Sequence, residues 1–285
     1  MLISKEELKF DFGAARFKPE IEEDRKTLGW VFNQFLYGEI TGIQCGHWLY
    51  HAPHLGAAAF LAKQAQEELS HVKKILRILS LLHEKPAPAH PIIKFLSTGM
   101  MGGSWGEHVA LEMALGEGLV LSVFYAMEDT IDHPEIRRIL TSATVEEERH
   151  VEFGERETMK WLEKYPGTRK ILLAQAYIQV IALKQFKKFI LNKFLQKSAG
   201  NEVLAQFEKF YDHVIQMFEL RIEKLGLARK PLSELTWFEK LDLILFLPLR
   251  KLARKLTFKT KQSLLTSSYL EDPALLAEEQ QFRPS

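Results

Sequence analysis

The stretches EELSH at residues 67–71 and EEERH at residues 146–150 share one pattern, a glutamate three residues before a histidine. Residues three apart lie on the same face of an α-helix, so each stretch presents a carboxylate and an imidazole together. One such stretch alone is typical of a solvated acidic helix face. Two stretches in one chain indicate a common role, and the residues around them suggest what that role is.

A Gly-Glu pair precedes each stretch, at residues 38–39 in the first half and 116–117 in the second. The glutamates of these pairs are 78 positions apart, and the two histidines are 79 positions apart. The chain therefore contains an internal repeat that is visible in spacing more than in identity. Each repeat supplies one lone glutamate and one Glu-x-x-His.

The rest of the chain reads as helix, because apolar residues recur at intervals of three and four. Proline and glycine interrupt this pattern at residues 52–53, 85–103, 132–134 and 165–167. The sequence predicts an all-α fold with helices at about residues 24–50, 55–82, 105–130, 134–164, 168–197 and 201–226, and an amphipathic segment at 232–260.

The turn positions bring the repeated residues into register. Glu39 and Glu68 lie on opposite sides of Pro53, at nearly equal distances from it along the chain. At a helical rise of about 1.5 Å per residue both are roughly 21–23 Å from the turn, level across an antiparallel pair of helices. The second pair matches more loosely, because Glu117 is further from Pro134 along the chain than Glu147 is.

Packing the two hairpins together would bring four carboxylates and two imidazoles to one point. Four buried carboxylates repel each other and lose their hydration, so they need cations between them. Two divalent cations balance four carboxylates in formal charge. We therefore predict that six residues bind two metal ions and form the catalytic centre: Glu39, Glu68, His71, Glu117, Glu147 and His150. The remaining glutamates of the two stretches would face solvent or form outer hydrogen bonds: Glu67, Glu146 and Glu148.

This pattern resembles the ferritin-like di-iron carboxylate superfamily, in which two lone glutamates and two Glu-x-x-His motifs lie in a four-helix bundle. It is most similar to rubrerythrin-like members and covers about residues 24–160. The resemblance implies a ferritin-like four-helix bundle with additional C-terminal helices. Two departures count against a rubrerythrin-type peroxidase: the chain lacks a four-cysteine rubredoxin module, and Val120 stands where rubrerythrins have a further glutamate.

Oxygen-rich ligation with two imidazoles suits iron or manganese better than zinc or copper(I). We expect two iron ions, with a manganese–iron pair as the alternative, in an enzyme of the di-iron oxidoreductase class. One function is an oxidase or monooxygenase that uses O₂ on an apolar or carrier-bound organic substrate. The alternatives are a ferroxidase or peroxidase that handles iron, and a tRNA-modifying hydroxylase.

The single cysteine, Cys45, excludes an intrachain disulfide and a four-cysteine cluster. Electrons are therefore expected from an external ferredoxin or reductase. The N-terminus does not read as a signal peptide, and no apolar run reaches the ~18–20 residues of a membrane span. These features favour a cytoplasmic protein.

A substrate pocket is expected beside the metals. Gly38, Gly42 and Gly46 are spaced four apart on the first helix, where they leave room beside the metals or permit close helix packing. Apolar residues one turn from the ligands would form the floor of such a pocket: Phe35, Ile43, Met113 and Leu121.

Charge divides the chain into four regions. Residues 1–167 hold 18 Lys and Arg against 25 Asp and Glu, and residues 168–262 hold 19 against 8. The predicted regions are an N-terminal extension (1–23), the metal-binding bundle (24–167), a basic helical region (168–262) and an acidic tail (263–285). The basic segment 232–260 is typical of a helix at a membrane surface; nucleic acid and plain packing on the bundle are the alternatives. A homodimer is a further expected assembly.

Overall fold

A computed structural model describes residues 1–94, 97, 102–195 and 201–257. Every regular element in these residues is helical, which confirms the predicted all-α class. The described residues also include one isolated parallel bridge, between Phe17 and Ile131. The predicted acidic tail, 263–285, lies outside the described residues.

Four long helical stretches form the bundle that carries the repeated motifs. Two short helices lie outside it, α1 (Lys5–Leu8) before the bundle and α4 (Pro91–Lys94) in the connection between its second and third stretches. The bundle stretches are α2 (Glu22–Gly42) with a 3₁₀ continuation (Ile43–His51), α3 (Leu55–Leu81), α5 (Trp105–Glu107) joined to α6 (Gly118–Thr130) through a π-helical segment (His108–Glu117), and α7 (Pro134–Lys164). In the bundle, α2 packs on α3, α3 on α7, and α7 on both α6 and the π-helical segment.

Polar caps fix the starts of two bundle helices. The Nδ1 atom of His54 accepts a hydrogen bond from the backbone N–H of Ala57, directly after the break at Pro53. His133 caps α7 in the same way, with Pro134 in the first turn as predicted. These caps set the hairpin turns from which the register of the glutamates was predicted.

The third bundle stretch differs from the single α-helix predicted for residues 105–130. Its middle ten residues, His108–Glu117, form a π-helix, a rare conformation that is frequent at functional sites. The segment packs closely on α7 at Gly154, where a Cβ atom would lie 2.6 Å from Cβ of Met113 and 2.7 Å from the backbone N of Ala114. The spacing of apolar residues in this segment fits an α-helix equally well, so the sequence pattern does not predict the π-helix.

The helix Trp105–Thr130 is also long and apolar enough to cross a membrane by length and composition, contrary to the expectation that no apolar run reaches this length. Its most apolar window is 67% buried inside the protein. The helix also contains three glutamates: the buried Glu107, and Glu112 and Glu117, which are partly buried. A helix that is mostly buried and carries these carboxylates fits a place in the core of the protein.

The additional C-terminal helices are α8 (Arg169–Leu195), α9 (Glu202–Lys224), α10 (Trp237–Leu245) and α11 (Leu247–Thr257). Helices α8 and α9 pack on each other and on the π-helical segment, and α9 also packs on α6. Most of their buried apolar residues belong to the same hydrophobic cluster as those of the bundle. The division into regions at residue 168 remains a prediction.

A buried ion pair ties α9 to α7. Arg221 donates from Nε to Oε1 of Glu155 at 3.1 Å, and both side chains are almost fully buried. A Cβ atom at position 118 would collide with the guanidinium of Arg221, so Gly118 is required for this contact. Glu155 also accepts the backbone N–H of Leu2 at 2.6 Å, which fixes the N-terminal extension to the bundle.

Candidate metal centre

The structure brings together the six predicted residues, here called the carboxylate–histidine cluster. Each bundle stretch contributes, since the cluster consists of Glu39 from α2, Glu68 and His71 from α3, Glu117 at the end of the π-helical segment, and Glu147 and His150 from α7. Five of the six are buried, and Glu117 is partly accessible.

One half of the cluster surrounds His71. Its Nδ1 atom lies 3.1 Å from Oε2 of Glu39, 3.1 Å from Oε1 of Glu147 and 3.9 Å from Oε2 of Glu68. Ligand atoms of these four residues all lie within 4.8 Å of one another, a spacing that can hold a metal ion.

The other half surrounds His150. Its Nδ1 atom lies 3.5 Å from Oε1 of Glu68 and 3.5 Å from Oε2 of Glu147. Ligand atoms of Glu68, Glu117 and His150 form a second group within the same 4.8 Å limit. Glu68 and Glu147 thus point one oxygen toward each imidazole, while Glu39 and Glu117 each belong to one half.

Reciprocal hydrogen bonds orient the two imidazoles. Nε2 of His71 lies 2.7 Å from Glu146, and Nε2 of His150 lies 2.9 Å from Glu67. The first glutamate of each EExxH stretch therefore bonds to the histidine of the other stretch, which confirms the outer hydrogen bonds expected for these two residues. Such a contact leaves Nδ1 directed at the centre, as in metal sites whose histidines are held by outer carboxylates.

Several buried atoms in the centre have no hydrogen-bond partner among the described residues. They are Nδ1 of His150, Oε2 of Glu147 and Oε2 of Glu117. Unpaired buried polar atoms are costly, so their convergence on one point fits the predicted cation site. The other oxygen of Glu117 is held by Nε2 of Gln64 at 2.8 Å, a contact that the sequence did not predict.

The pKa values of the cluster residues show that bound protons or cations stabilise the cluster. Burial, together with the charges of Glu147, Glu39 and Glu117, raises the pKa of Glu68 well above its ordinary value. Burial acts to lower the pKa of His71, but hydrogen bonds to Glu147 and Glu39 outweigh it and raise that pKa to about 10. Without metal, protons therefore supply the charge, and a metal ion must displace them to bind.

A single glycine makes room for the carboxylate of Glu68. A Cβ atom on Gly42 would lie 2.6 Å from Oε2 of Glu68. A Cβ atom on Gly38 or on Gly46 would meet no neighbouring side chain within 4 Å. Of the three glycines expected to leave space beside the metals, Gly42 is the one that a cluster residue requires.

A cavity of about 400 Å³ adjoins the cluster. Four cluster glutamates line part of it, and mostly apolar side chains of α2, α6, α8 and α9 line the rest. Representative wall residues are Phe35, Val120, Val123, Leu183, Phe207 and Val214. The C-terminal helices α8 and α9 therefore build one wall of the cavity.

The predicted pocket floor was right for Phe35 and wrong for three other residues. Met113 packs toward Gly154 of α7, and Leu121 packs in a separate cluster with Tyr125 and Val151. Ile43, in the 3₁₀ segment, is not among the lining residues. In the turn of α6 that follows Glu117, Val120 lines the cavity and Leu121 does not.

His108 and Glu112 also line the cavity, although neither was predicted as a site residue from the sequence. Nδ1 of His108 lies 2.8 Å from Oε2 of Glu112, and the imidazole stacks on Trp48 with ring centres 4.9 Å apart. Nε2 of His108 is buried and has no hydrogen-bond partner among the described residues. The i, i+4 spacing of His108 and Glu112 was the available sequence signal.

The substitution Gly42→Ala tests the geometry of the cluster. We expect it to displace the carboxylate of Glu68 and to weaken iron or manganese binding about tenfold or more, measured by equilibrium dialysis. Gly38→Ala is the matched control: it lies one turn earlier on α2, and both substitutions raise helix propensity by about 1 kcal/mol. Equal metal affinity of the two variants would contradict the role of Gly42.

Comparisons with protein-family models, with curated proteins and with solved structures found no match. The resemblance to ferritin-like di-iron proteins therefore rests on the cluster itself and on the helices that carry it. The chain is a helical protein with a buried carboxylate–histidine cluster that can hold a metal ion.

Proposed function

We propose that this protein is a di-iron oxidase or monooxygenase that uses O₂ to oxidise or hydroxylate an apolar organic substrate. The observation that carries this proposal is the junction between the carboxylate–histidine cluster and an apolar cavity large enough for a small organic molecule. Neither feature alone would favour a substrate oxidation over simple metal binding.

The arrangement supports distinct roles for the four carboxylates. Glu68 and Glu147, each with one oxygen toward His71 and one toward His150, would bridge two ions. Glu39 and Glu117 would each be a terminal ligand of one ion. The carboxylate and imidazole donor set suits iron or manganese.

The outer residues would keep this donor set rigid. Glu146 holds Nε2 of His71 and is itself held by Lys74 at 2.6 Å. Glu67 holds Nε2 of His150 and is paired with Arg149 at 2.7 Å. Each imidazole thereby keeps its Nδ1 directed at the centre, and each outer carboxylate accepts a hydrogen bond from the imidazole that it holds.

When bound, a pair of ferrous ions supplies two electrons for the reduction of O₂. Further electrons would come from an external ferredoxin or reductase, because the chain has one cysteine and cannot hold a four-cysteine cluster. The apolar walls would exclude water and place a carbon atom of the substrate near the open side of the centre.

The cavity favours substrate oxidation over the iron-handling alternative. Iron ions that enter or leave need a polar path, whereas the walls beyond the cluster are mainly Phe, Val and Leu side chains. Helices α8 and α9 contribute one of these walls, although iron storage needs nothing beyond the four-helix bundle. The oxidase proposal therefore gives the extra helices a role, which is to form a wall of the substrate cavity.

The double variant Glu68→Ala, Glu147→Ala tests the metal assignment. We expect the wild-type protein, loaded anaerobically with ferrous iron, to consume about one O₂ per two iron ions after mixing with air-saturated buffer. The double variant should lose this rapid uptake because both bridging ligands are gone. An oxygen electrode and metal analysis give the two readouts.

Glu152→Ala with Glu163→Ala is the matched control, since it also removes two carboxylates from the bundle, both of them on α7, but leaves the cluster intact. Wild-type oxygen uptake by the cluster variant would contradict the assignment. Growth of a ferric mineral far beyond two iron ions per chain would support the iron-handling alternative instead.

The variant Val120→Phe tests the cavity. The added ring would fill space in the wall, so we expect it to weaken binding of naphthalene, an uncharged apolar probe, about tenfold or more without changing the metal content. Equilibrium dialysis measures the binding. Val145→Phe, on the exposed side of α7, should bind the probe like the wild type. Equal binding by all three proteins would contradict a substrate role for the cavity.

A further inference from the structure

Helices α10 and α11 expose large apolar side chains to solvent. Trp237 is 65% exposed, Phe238 76%, Leu245 62%, Leu249 60% and Leu252 56%. Ile244 and Phe246 in the same segment are exposed as well, whereas the remaining exposed large apolar side chains among the described residues are scattered along the bundle helices and the N-terminal part. Such a concentration on two consecutive helices marks an interaction surface.

These helices are nevertheless firmly attached to the protein. Thr236 and Glu239 form a capping box at the start of α10, and Leu243 is buried against the body of the protein. Asp242 accepts hydrogen bonds from Arg250 at 2.6 Å, and Lys251 lies 3.5 Å from the buried Glu107. Packing on the rest of the protein, mainly on α8, thus accounts for Leu243 and gives the exposed side chains no role.

The charge of the same region suggests what the surface contacts. Residues 247–261 contain six Lys and Arg and no Asp or Glu. Apolar and aromatic side chains next to a basic sequence suit the boundary between lipid headgroups and acyl chains. Tryptophan is enriched at that boundary, because its ring has an apolar body and a polar N–H group.

We propose that α10 and α11 dock the full chain on an anionic lipid surface as a peripheral contact that does not span the bilayer. RNA fits this surface less well, since phosphates would leave Leu245, Leu249 and Leu252 without apolar partners. A second copy of the chain also fits less well, because a two-fold interface would bring two basic segments together. The proposal does not depend on the metal centre.

Vesicle sedimentation of the full chain tests the proposal, with phosphatidylcholine alone and with one quarter phosphatidylglycerol. We expect binding to the anionic vesicles that weakens as salt rises, because exposed charges are screened beyond ~8 Å at physiological salt. The variant Trp237→Gln, Phe238→Gln, Leu245→Gln should bind about 30-fold more weakly, with unchanged metal content and circular dichroism.

The matched control is Ile40→Gln, Leu69→Gln, Leu76→Gln, which replaces three exposed apolar residues of α2 and α3 and should bind vesicles like the wild type. A blue shift of tryptophan fluorescence on vesicles, lost in Trp237→Gln, would further support the contact. Equal vesicle binding by both triple variants would overturn the proposal. So would salt-sensitive binding to tRNA without vesicle binding, or a dimer in solution that only the Trp237 triple variant dissociates.

Discussion

Four carboxylates within one buried space repel each other unless cations lie between them, and the rest of the structure is arranged around this constraint. The constraint appears in the raised pKa of Glu68, which burial and the neighbouring carboxylates produce, and in the pKa of about 10 for His71. Gly42 leaves the space that the Glu68 carboxylate occupies. The outer glutamates hold both imidazoles so that each directs Nδ1 at the same centre.

The π-helical segment connects this centre to the cavity. It ends at Glu117 and places His108 and Glu112 along the same cavity, between the bundle and the C-terminal helices. Helices α8 and α9 close the side that a bare four-helix bundle would leave open to solvent. The buried pair of Arg221 and Glu155 then fixes α9 to the helix that carries Glu147 and His150. The carboxylate–histidine cluster, the cavity and the outer helices therefore form one connected unit.

Much of this centre was predictable from the sequence, because helix periodicity and turn positions are local properties. Spacing alone predicted that Glu39, Glu68 and the two histidines would meet, and the structure brings them together. The π-helical segment was not predictable, since its apolar pattern also fits an α-helix, and this limited the prediction of the cavity walls. Gln64 and His108 were missed because their roles depend on contacts between helices that are distant in the sequence.

The central claim is that the two repeats form one centre for two metal ions. Anomalous diffraction from crystals of the iron-loaded protein, recorded at the iron absorption edge, tests it most directly. The account predicts two peaks, one between Glu39, Glu68, His71 and Glu147 and the other between Glu68, Glu117 and His150. A single peak, peaks outside the cluster, or no peak after complete iron loading would contradict it.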